Sequence, residues 1–391
     1  MKRLSIICFF LFCLCTIKSQ AQNKFELNNG YLSYMNTVEI IDTLRDNWIN
    51  DNLFHNRLNF KWTNEKRGFK VVAQVRNRLL YGDRIKLDPF YTKQISRDNG
   101  MVDLTYNVAK GNSFILNTTF DRLNFSFEKN NYMFTIGRQR INWSSSFVWS
   151  PNDLFNNASF YDFDYVEKPG SDAIRFQYFT SPVSSFDAVM KFDRNKDITT
   201  ATMYRLNKFG YDFQVLGGVL ESKDWAMGLG WSGNLKDGSF TGELSYFIPM
   251  KKGDKTTFLG SVGYNYTFPS ELFLYGEFMY MTIKDEDKNK GFNEFWAAPQ
   301  SVKNLSITEY NFVFMAEYPI TSLLKLSVST IYYPDLSGVY ISPSIDYSIG
   351  QNMDLSFIGQ FFSAKVRTSE VSSETHRTSY TMANVRFKWN F

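Results

Sequence analysis

Arginine is concentrated in the first half of the chain, where it recurs at alternate positions of short segments. Arg76 and Arg78 occupy alternate positions of "VVAQVRNRLL", and Arg57 follows His55 in the same way in "LFHNRLNFKW". A guanidinium carries a permanent positive charge and offers forked N–H donors that match planar or anionic groups. Because side chains at every second position of a strand lie on one face, the spacing predicts a row of cations suited to contact anionic or hydroxyl-rich solutes.

The residues that catalysis needs are scarce. The chain has two histidines, His55 and His376, so a Ser-His-Asp hydrolase would have to use one of them. His376 lies in the serine-rich "SSETHRTS" near Glu370 and Glu374, but serine-rich loops are common, and His55 lies among basic residues. We therefore predict no catalytic residue and no enzymatic activity.

Metal and cofactor sites lack support as well. The histidines do not form a pair with ligand spacing, and the three cysteines all lie within the first 15 residues. No acidic segment has the glycine-containing pattern of a Ca²⁺ loop, and no glycine-rich phosphate loop opens a helix, since no convincing helix is present. We interpret the acidic "DEDKNK" (285–290) as a solvated loop tip and predict no metal and no cofactor.

The richest stretch of aromatic and charged side chains begins with "GRQRINWSSSFVWSPNDLF" and continues to residue 179. Its first part holds a compact motif made of Arg138, Gln139, Arg140 and Trp143. The long loop 144–170 then carries Trp149, Pro151, Asp153, Asp162, Asp164 and Glu167. Long loops are usually functional or disordered, and the aromatics argue against disorder. We predict that the acidic loop folds inward against the arginine row and narrows a pore; the alternative is a lid packed on the rim.

Alternating segments position these groups. In 53–62 the apolar Phe54, Leu58, Phe60 and Trp62 alternate with polar residues, and segments of about ten residues with this period-two pattern recur along the chain. Eighteen such segments can be counted, the first at 30–41, the fifth at 132–143 and the last at 379–391. Tight turns come after the even-numbered segments and the long connections after the odd-numbered ones, as in barrels with short periplasmic turns and long external loops.

Composition favours a membrane over water around these strands. Aromatic residues make up 18% of the chain although its mean hydropathy is −0.31. A closed β-barrel places many aromatics against lipid without a continuous apolar run. A soluble sandwich would not give the apolar residues one outward parity in nearly every strand, and a propeller would show a repeat of fixed period. We predict an all-β fold, a transmembrane antiparallel barrel of about 18 strands.

The first 21 residues have the features of a secretory signal peptide. Lys2 and Arg3 precede an apolar run, and Ser19 and Ala21 form a small-x-small cleavage site. The run is too short for a single membrane anchor, and bulky Leu14 disfavours a lipoprotein signal at Cys15. The predicted division is therefore 1–21 signal peptide and 22–391 barrel. Removing the signal takes all three cysteines away and lowers the formal net charge from +4 to +1, which leaves nucleic acid binding without support.

With parity assigned, inward-facing charges separate by sign. A basic wall is predicted from His55, Arg57, Lys61, Lys70, Arg76, Arg78, Arg122, Arg175, Arg386 and Lys388. The far wall carries Asp212, Glu243, Glu277, Glu317, Asp346 and Asp354. Opposite walls of opposite charge produce a transverse field that discriminates polar solutes. The alternative is that these charges simply pair to fill and stiffen the barrel.

The signal, the aromatic last strand and the motif together resemble the porin-type outer-membrane β-barrels of Gram-negative bacteria, nearest to the alginate-export and phosphate- or carbohydrate-selective porins. Arg138, Gln139 and Trp143 match that pattern, as do Pro151 and Asp153, whereas Ser144 stands where a glycine is usual. The resemblance implies an outer-membrane channel for passive, selective diffusion.

We accordingly expect a porin-like channel for small hydrophilic solutes, anionic or hydroxyl-rich. The alternative is a non-conducting structural or secretion-associated barrel. The expected partners are outer-membrane lipid, the solutes and, during biogenesis, the barrel-assembly machinery, whose recognition signal the C-terminal Phe391 resembles.

Overall fold

A computed structural model describes residues 23–27, 29–41, 48–88, 91–156, 169–283, 301–367 and 375–391. The predicted signal peptide and the predicted loop tip at 285–290 lie outside these ranges. The strands are β1 (Asn23–Leu27), β2 (Tyr31–Ile41), β3 (Trp48–Asn64), β4 (Phe69–Gly82), β5 (Thr105–Lys110), β6 (Phe114–Lys129), β7 (Tyr132–Gln139), β8 (Ser171–Ser181), β9 (Ser184–Phe192), β10 (Ile198–Lys208), β11 (Tyr211–Leu220), β12 (Asp224–Leu235), β13 (Gly238–Pro249), β14 (Thr257–Thr267), β15 (Phe273–Met281), β16 (Tyr310–Thr321), β17 (Leu324–Tyr333), β18 (Gly338–Gly350), β19 (Met353–Arg367) and β20 (Thr375–Asn390).

Eighteen of these strands close into one antiparallel barrel. Each pairs with the next, with β6 following β4, and the ring closes because β20 pairs with β2 from Tyr31↔Asn390 to Ile41↔Tyr380. The predicted all-β barrel and its strand number are therefore confirmed. Short turns such as 130–131 and 351–352 lie at one end, which we call the turn end. The longer connections lie at the other, the loop end.

Two further strands extend the wall. β1 pairs with the part of β3 that runs beyond the end of β2. β5 pairs with β6 at the loop end, at Thr105↔Thr119 through Lys110↔Ile115, where β7 has already ended. The fifth segment was expected to reach residue 143, but β7 stops at Gln139, just after Gly137 adopts a φ of +108°. This strand end removes the parity conflict for Arg140, whereas Arg138 still pairs in register inside β7.

The expectation of no helix was wrong for the long connection after β4. It contains two one-turn helices, α1 (Asp83–Leu87) and α2 (Tyr91–Ile95). Such short turns carry no periodic signal over several turns, so sequence pattern does not reveal them. None of the described helices is long and apolar enough to cross a bilayer.

The alternation along each strand divides the wall into two surfaces. On β12, Trp225, Met227 and Leu229 are exposed outside, whereas Ala226 and Gly228 face the lumen. Toward the loop end of β11 to β19 the inward face is apolar as well, and it forms a buried core inside the barrel. That core includes Leu216, Phe247, Leu259, Met279, Val313, Ile331, Tyr340 and Phe362. An apolar interior of this kind needs something to pack against, and the connection after β7 supplies it.

Candidate functional site

The chain leaves the wall after β7 and enters the lumen as residues 140–156, which we call the inward segment. All six residues from Pro151 to Asn156 are buried, as are Trp143 and Trp149. Tight turns bend the segment, with the N–H of Asp153 donating to the carbonyl of Ser150. The segment therefore lies inside the ring of strands, packed against its inward-facing residues.

Two carboxylates on the opposite wall hold the inward segment through its backbone. Glu243 on β13 accepts hydrogen bonds from the N–H groups of Ser145, Ser146 and Asn152, the last two at 2.8 Å. The second carboxylate is Glu277, and both are almost fully buried. Backbone N–H donors that converge on a carboxylate form charge-assisted hydrogen bonds, which are about twice as strong as neutral ones.

Glu277 on β15 makes the second attachment. It accepts from the N–H groups of Val148 and Trp149 at 3.0 and 3.2 Å, and the Tyr275 hydroxyl donates to it at 2.5 Å. Glu243 and Glu277 were predicted to line the far wall, but their contact with this loop was not predicted. The expectation that the loop's acids bind the arginine wall remains a prediction, since Asp162, Asp164 and Glu167 lie outside the described residues. Backbone donors of the loop bind acids of the far wall, because burial of these N–H groups demands acceptors.

Small lumen residues make room for the inward segment. A Cβ added at Gly228 on β12 would collide with Oδ1 of Asn152. The Ser245 hydroxyl donates to that same Oδ1 atom at 2.7 Å and to the carbonyl of Pro151 at 2.8 Å. Ser146 and Ser261 are joined by a hydroxyl hydrogen bond of 2.9 Å. Glycine and serine at these inward positions therefore form the seat of the segment.

Trp143 anchors the start of the segment. Its indole N–H donates to Asp187 on β9 at 3.0 Å, and its ring meets Phe155 edge to face at 4.9 Å between centroids. Arg175 on β8 also binds Asp187, at 2.5 Å. Asp187 thus joins a predicted basic-wall residue to a predicted motif residue, a link that only the fold reveals.

The centre of the predicted basic wall is a shared ion pair. Arg57 on β3 lies 2.7 Å from Asp121 on β6, and Arg76 on β4 lies 3.5 Å from the other oxygen of Asp121. The β4–β6 register shifts between Gln74 and Val75, and this bulge places both Asp121 and Arg122 in the lumen. Strict alternation assigns only one of two adjacent residues to the lumen, so Asp121 was missed. The only sequence feature that could have pointed to Asp121 as a lumen residue is that it directly precedes Arg122.

The other predicted basic residues have varied surroundings. Arg78 donates to Oδ1 of Asn117 at 2.9 Å, and the His55 ring lies 3.2 Å from the Tyr31 hydroxyl. Arg122 donates to the carbonyl of Asp121 at 2.7 Å. Lys61 lies 3.3 Å from Glu26, while Lys70 is exposed.

At the seam, Arg386 on β20 lies 3.9 Å from Asp346 and donates to Ser356. The Lys388 ammonium lies 4.7 Å from the centroid of the Tyr31 ring. Acids are therefore interspersed with the bases, and the described lumen is less sharply divided by sign than the sequence predicted.

The motif arginines differ in role. Arg138 binds Asp172 and, at 2.7 Å, Asp98 of the connection before β5, so it fastens that connection to the wall. Burial by itself raises the pKa of the Asp98 carboxyl, but hydrogen bonds from Arg138 and from the N–H groups of Gly100 and Leu104 hold it below its ordinary value. Gln139 donates to the carbonyl of Ala173 at 3.1 Å.

Arg140 is exposed where the inward segment begins. Asp153 is fully buried and accepts from the N–H of Asn156. Asp162, Asp164 and Glu167 lie outside the described residues. Within the described ranges, no group of three or more histidine, cysteine or acidic side chains could hold a metal ion.

A cavity of about 180 Å³ remains near the seam, beneath α1 and α2. Arg84 of α1 reaches it and is bound by Glu39 and by Asp51, 3.3 Å away. The apolar and aromatic part of its lining is Met35, Leu53, Leu80, Tyr81, Ile85, Tyr91 and Met382. The lumen on this side is thus not completely filled.

Solved structures share this architecture at low sequence identity. OccAB3 of Acinetobacter baumannii aligns with a TM-score of 0.58 at 12% identity, covering 95% of this chain and all of that one. OccAB4 of the same organism gives 0.58 at 10%, with 95% and 99% covered. OccK2 (OpdF) of Pseudomonas aeruginosa gives 0.57 at 8%, with 95% and 98% covered. No protein-family model and no curated protein matches the sequence. The closed eighteen-stranded wall, its apolar exterior and these likenesses give the chain the fold of a porin-type β-barrel.

Proposed function

We propose that the protein is a porin-like channel through which small hydrophilic solutes diffuse passively. One observation carries this proposal: a closed barrel of eighteen strands contains an inward segment that is held across its lumen by Glu243 and Glu277. A fixed segment narrows a wide lumen to a constriction without obstructing all of it, and a polar constriction selects by size and charge. On this proposal the outer surface contacts outer-membrane lipid, and the barrel-assembly machinery inserts the chain.

Anionic or hydroxyl-rich solutes are the proposed substrates. Arg57 and Arg76 share the single carboxylate of Asp121, so this buried trio keeps a formal charge of +1. Inside a narrow lumen of low dielectric, such a charge acts on a passing ion more strongly than it does in bulk water. A guanidinium also offers donors to planar anions.

Planar bilayers test both parts of the proposal. Discrete ohmic steps from the refolded protein support a channel, and reversal potentials in a salt gradient measure its charge preference. An anion preference that falls in Arg76→Glu and Arg78→Glu supports the basic wall. A clear cation preference that is unchanged in those variants contradicts it. Liposome swelling with sugars and with organic anions then separates the two solute classes.

A second candidate is a structural or secretion-associated barrel that does not conduct. The apolar core inside the loop end favours it, because the inward segment and residues such as Val302 and Phe362 fill much of the lumen there. The same bilayer recording separates the candidates, since this one predicts silence from correctly folded protein.

A further inference from the structure

A polar ladder crosses the outer surface of the barrel, where apolar side chains are the rule. It consists of Asn56 on β3, Asn77 on β4 and Thr118 on β6, which lie opposite one another in register. The Asn77 amide donates to Oδ1 of Asn56 at 3.1 Å, and the Thr118 hydroxyl donates to Oδ1 of Asn77 at 2.7 Å. All three side chains are half-buried.

The ladder faces outward and lies within the apolar band. The next residues along β3 and β4, His55 and Arg78, are paired with each other and point into the lumen, so Asn56 and Asn77 point away from it. On the same outward face, apolar side chains flank the ladder on both sides along every strand. They are Phe54 and Leu58 on β3, Val75 and Leu79 on β4, and Leu116 and Phe120 on β6.

Hydrogen bonds within the ladder leave some of its amide N–H donors without an acceptor. The Asn56 amide nitrogen donates to no acceptor in the described part of the chain, and the Asn77 amide has a second N–H without one. Acyl chains offer no hydrogen-bond acceptors, and an unsatisfied polar group in hydrocarbon is costly. From the apolar side chains that flank it on both sides, we infer that the ladder lies at hydrocarbon depth, away from lipid headgroups. The remaining donors therefore call for a protein neighbour.

Outward-facing asparagine side chains are also distributed unevenly around the barrel. In the described strands, outward-facing asparagines occur on β1 to β4, with Asn36, Asn50 and Asn52 forming a second hydrogen-bonded group near the loop end of β2 and β3. The opposite wall presents Val262 on β14 and Phe278 on β15 in their place. One side of the barrel is therefore marked out from the rest.

We propose that this ladder is the centre of an interface between two copies of the chain in the membrane. An amide is donor and acceptor at once, so a patch of amides is complementary to itself, as an isologous contact requires. Side-chain hydrogen bonds between transmembrane elements are a known source of association where apolar burial supplies no driving force. The inference does not depend on conduction.

Cysteine cross-linking tests the contact directly, because the chain from residue 22 onward contains no cysteine. Asn77→Cys is produced in the outer membrane and oxidised with copper–phenanthroline and oxygen, which removes two electrons and two protons from a thiol pair. We expect a reducible band of twice the chain mass. The matched control is Val262→Cys on the opposite wall, which should remain a single chain. Equal cross-linking of the two variants, none in either, or a band of another mass that contains a different protein overturns the proposal.

The paired variant Asn56→Leu/Asn77→Leu tests the hydrogen bonds themselves. Leucine suits a lipid-facing position, so the barrel should still fold, as its heat-modifiable migration on gels would show. Native mass measurement in mild detergent should give two chains for the unchanged protein and one for the variant. A single chain for both proteins, or two chains for both, contradicts the role of the ladder. Either result leaves the bilayer recordings to decide the channel proposal separately.

Discussion

The Oε2 atom of Glu243 accepts a hydrogen bond from the backbone N–H of Asn152 at 2.8 Å, across the lumen from the strand where the inward segment starts. A side chain of β13 thereby fixes the backbone of a loop that follows β7. Because the carboxylate binds the main chain, this hydrogen bond does not depend on the identity of the Asn152 side chain.

Glu243→Gln should loosen the inward segment. An amide has one acceptor oxygen, and its NH₂ group faces N–H donors, so at least one hydrogen bond worth about 1.5–3 kcal/mol is lost. We expect larger or noisier single-channel conductance and faster proteolysis near residue 145. Glu317→Gln is the control, since Glu317 is partly exposed and pairs with Lys325. A variant whose recordings match those of the unchanged protein would show that apolar packing alone holds the segment.

Gly228→Val should displace the segment by another route. Its Cβ would occupy the space of the Asn152 side chain and would also collide with the buried Leu216 side chain, which cannot withdraw freely. Conductance should change in the same direction as in Glu243→Gln. Gly217→Ala is the control, because a Cβ there meets its nearest neighbour at 3.9 Å. Equal behaviour of both glycine variants would contradict the proposed seat.

Arg57→Gln should weaken both stability and anion preference. Removing one partner of a buried ion pair leaves an uncompensated charge and typically costs about 3–5 kcal/mol; here the neighbouring Arg76 reduces that cost. The midpoint of denaturant unfolding in detergent and the reversal potential measure the two effects. Arg57→Gln/Asp121→Asn should recover part of the stability and also much of the anion preference, because Arg76 alone restores the formal charge of this site to +1. Failure to recover any stability would indicate that the pair is not coupled.

Asp98 should make the connection before β5 sensitive to acid. Its pKa in the folded protein lies below the ordinary value of an aspartate. The stabilisation is therefore present above about pH 4 and is lost as pH falls through the lowered pKa. Limited proteolysis should leave 97–104 intact at neutral pH and cleave it in strong acid, whereas Asp98→Asn should be cleaved at both. Resistance of that variant at neutral pH would contradict the role of Arg138 as the fastener.

Removal of Phe391 should impair assembly. The N–H of Phe391 donates to the carbonyl of Gly30 at 2.9 Å, and its ring packs beside Trp389, so the terminus is paired across the closing seam. We expect less heat-modifiable barrel in the membrane from the truncated chain, with Phe391→Tyr close to normal. Equal amounts of barrel from all three chains would exclude a role for the terminal aromatic.

Sequence alone determined the barrel and the number of strands that close it. Residues such as Trp225, Met227 and Leu229 alternate with small or polar ones, because each strand contacts lipid on one side and the lumen on the other. The difference between the lipid-facing and lumen-facing sides affects adjacent residues of one strand, so a short stretch of sequence is enough to reveal it. Short turns and long connections also alternate along the chain, and this alternation shows that the number of strands is even.

Tertiary structure decided how the lumen is occupied. Glu243 lies 91 residues from Asn152, and Arg57 lies 64 residues from Asp121. Which strands face each other depends on the register of the whole ring, and the bulge beside Asp121 changes the face of one residue without a signal in the pattern. The outward ladder of Asn56, Asn77 and Thr118 became visible for the same reason: three ordinary polar residues form one feature only after three strands are aligned.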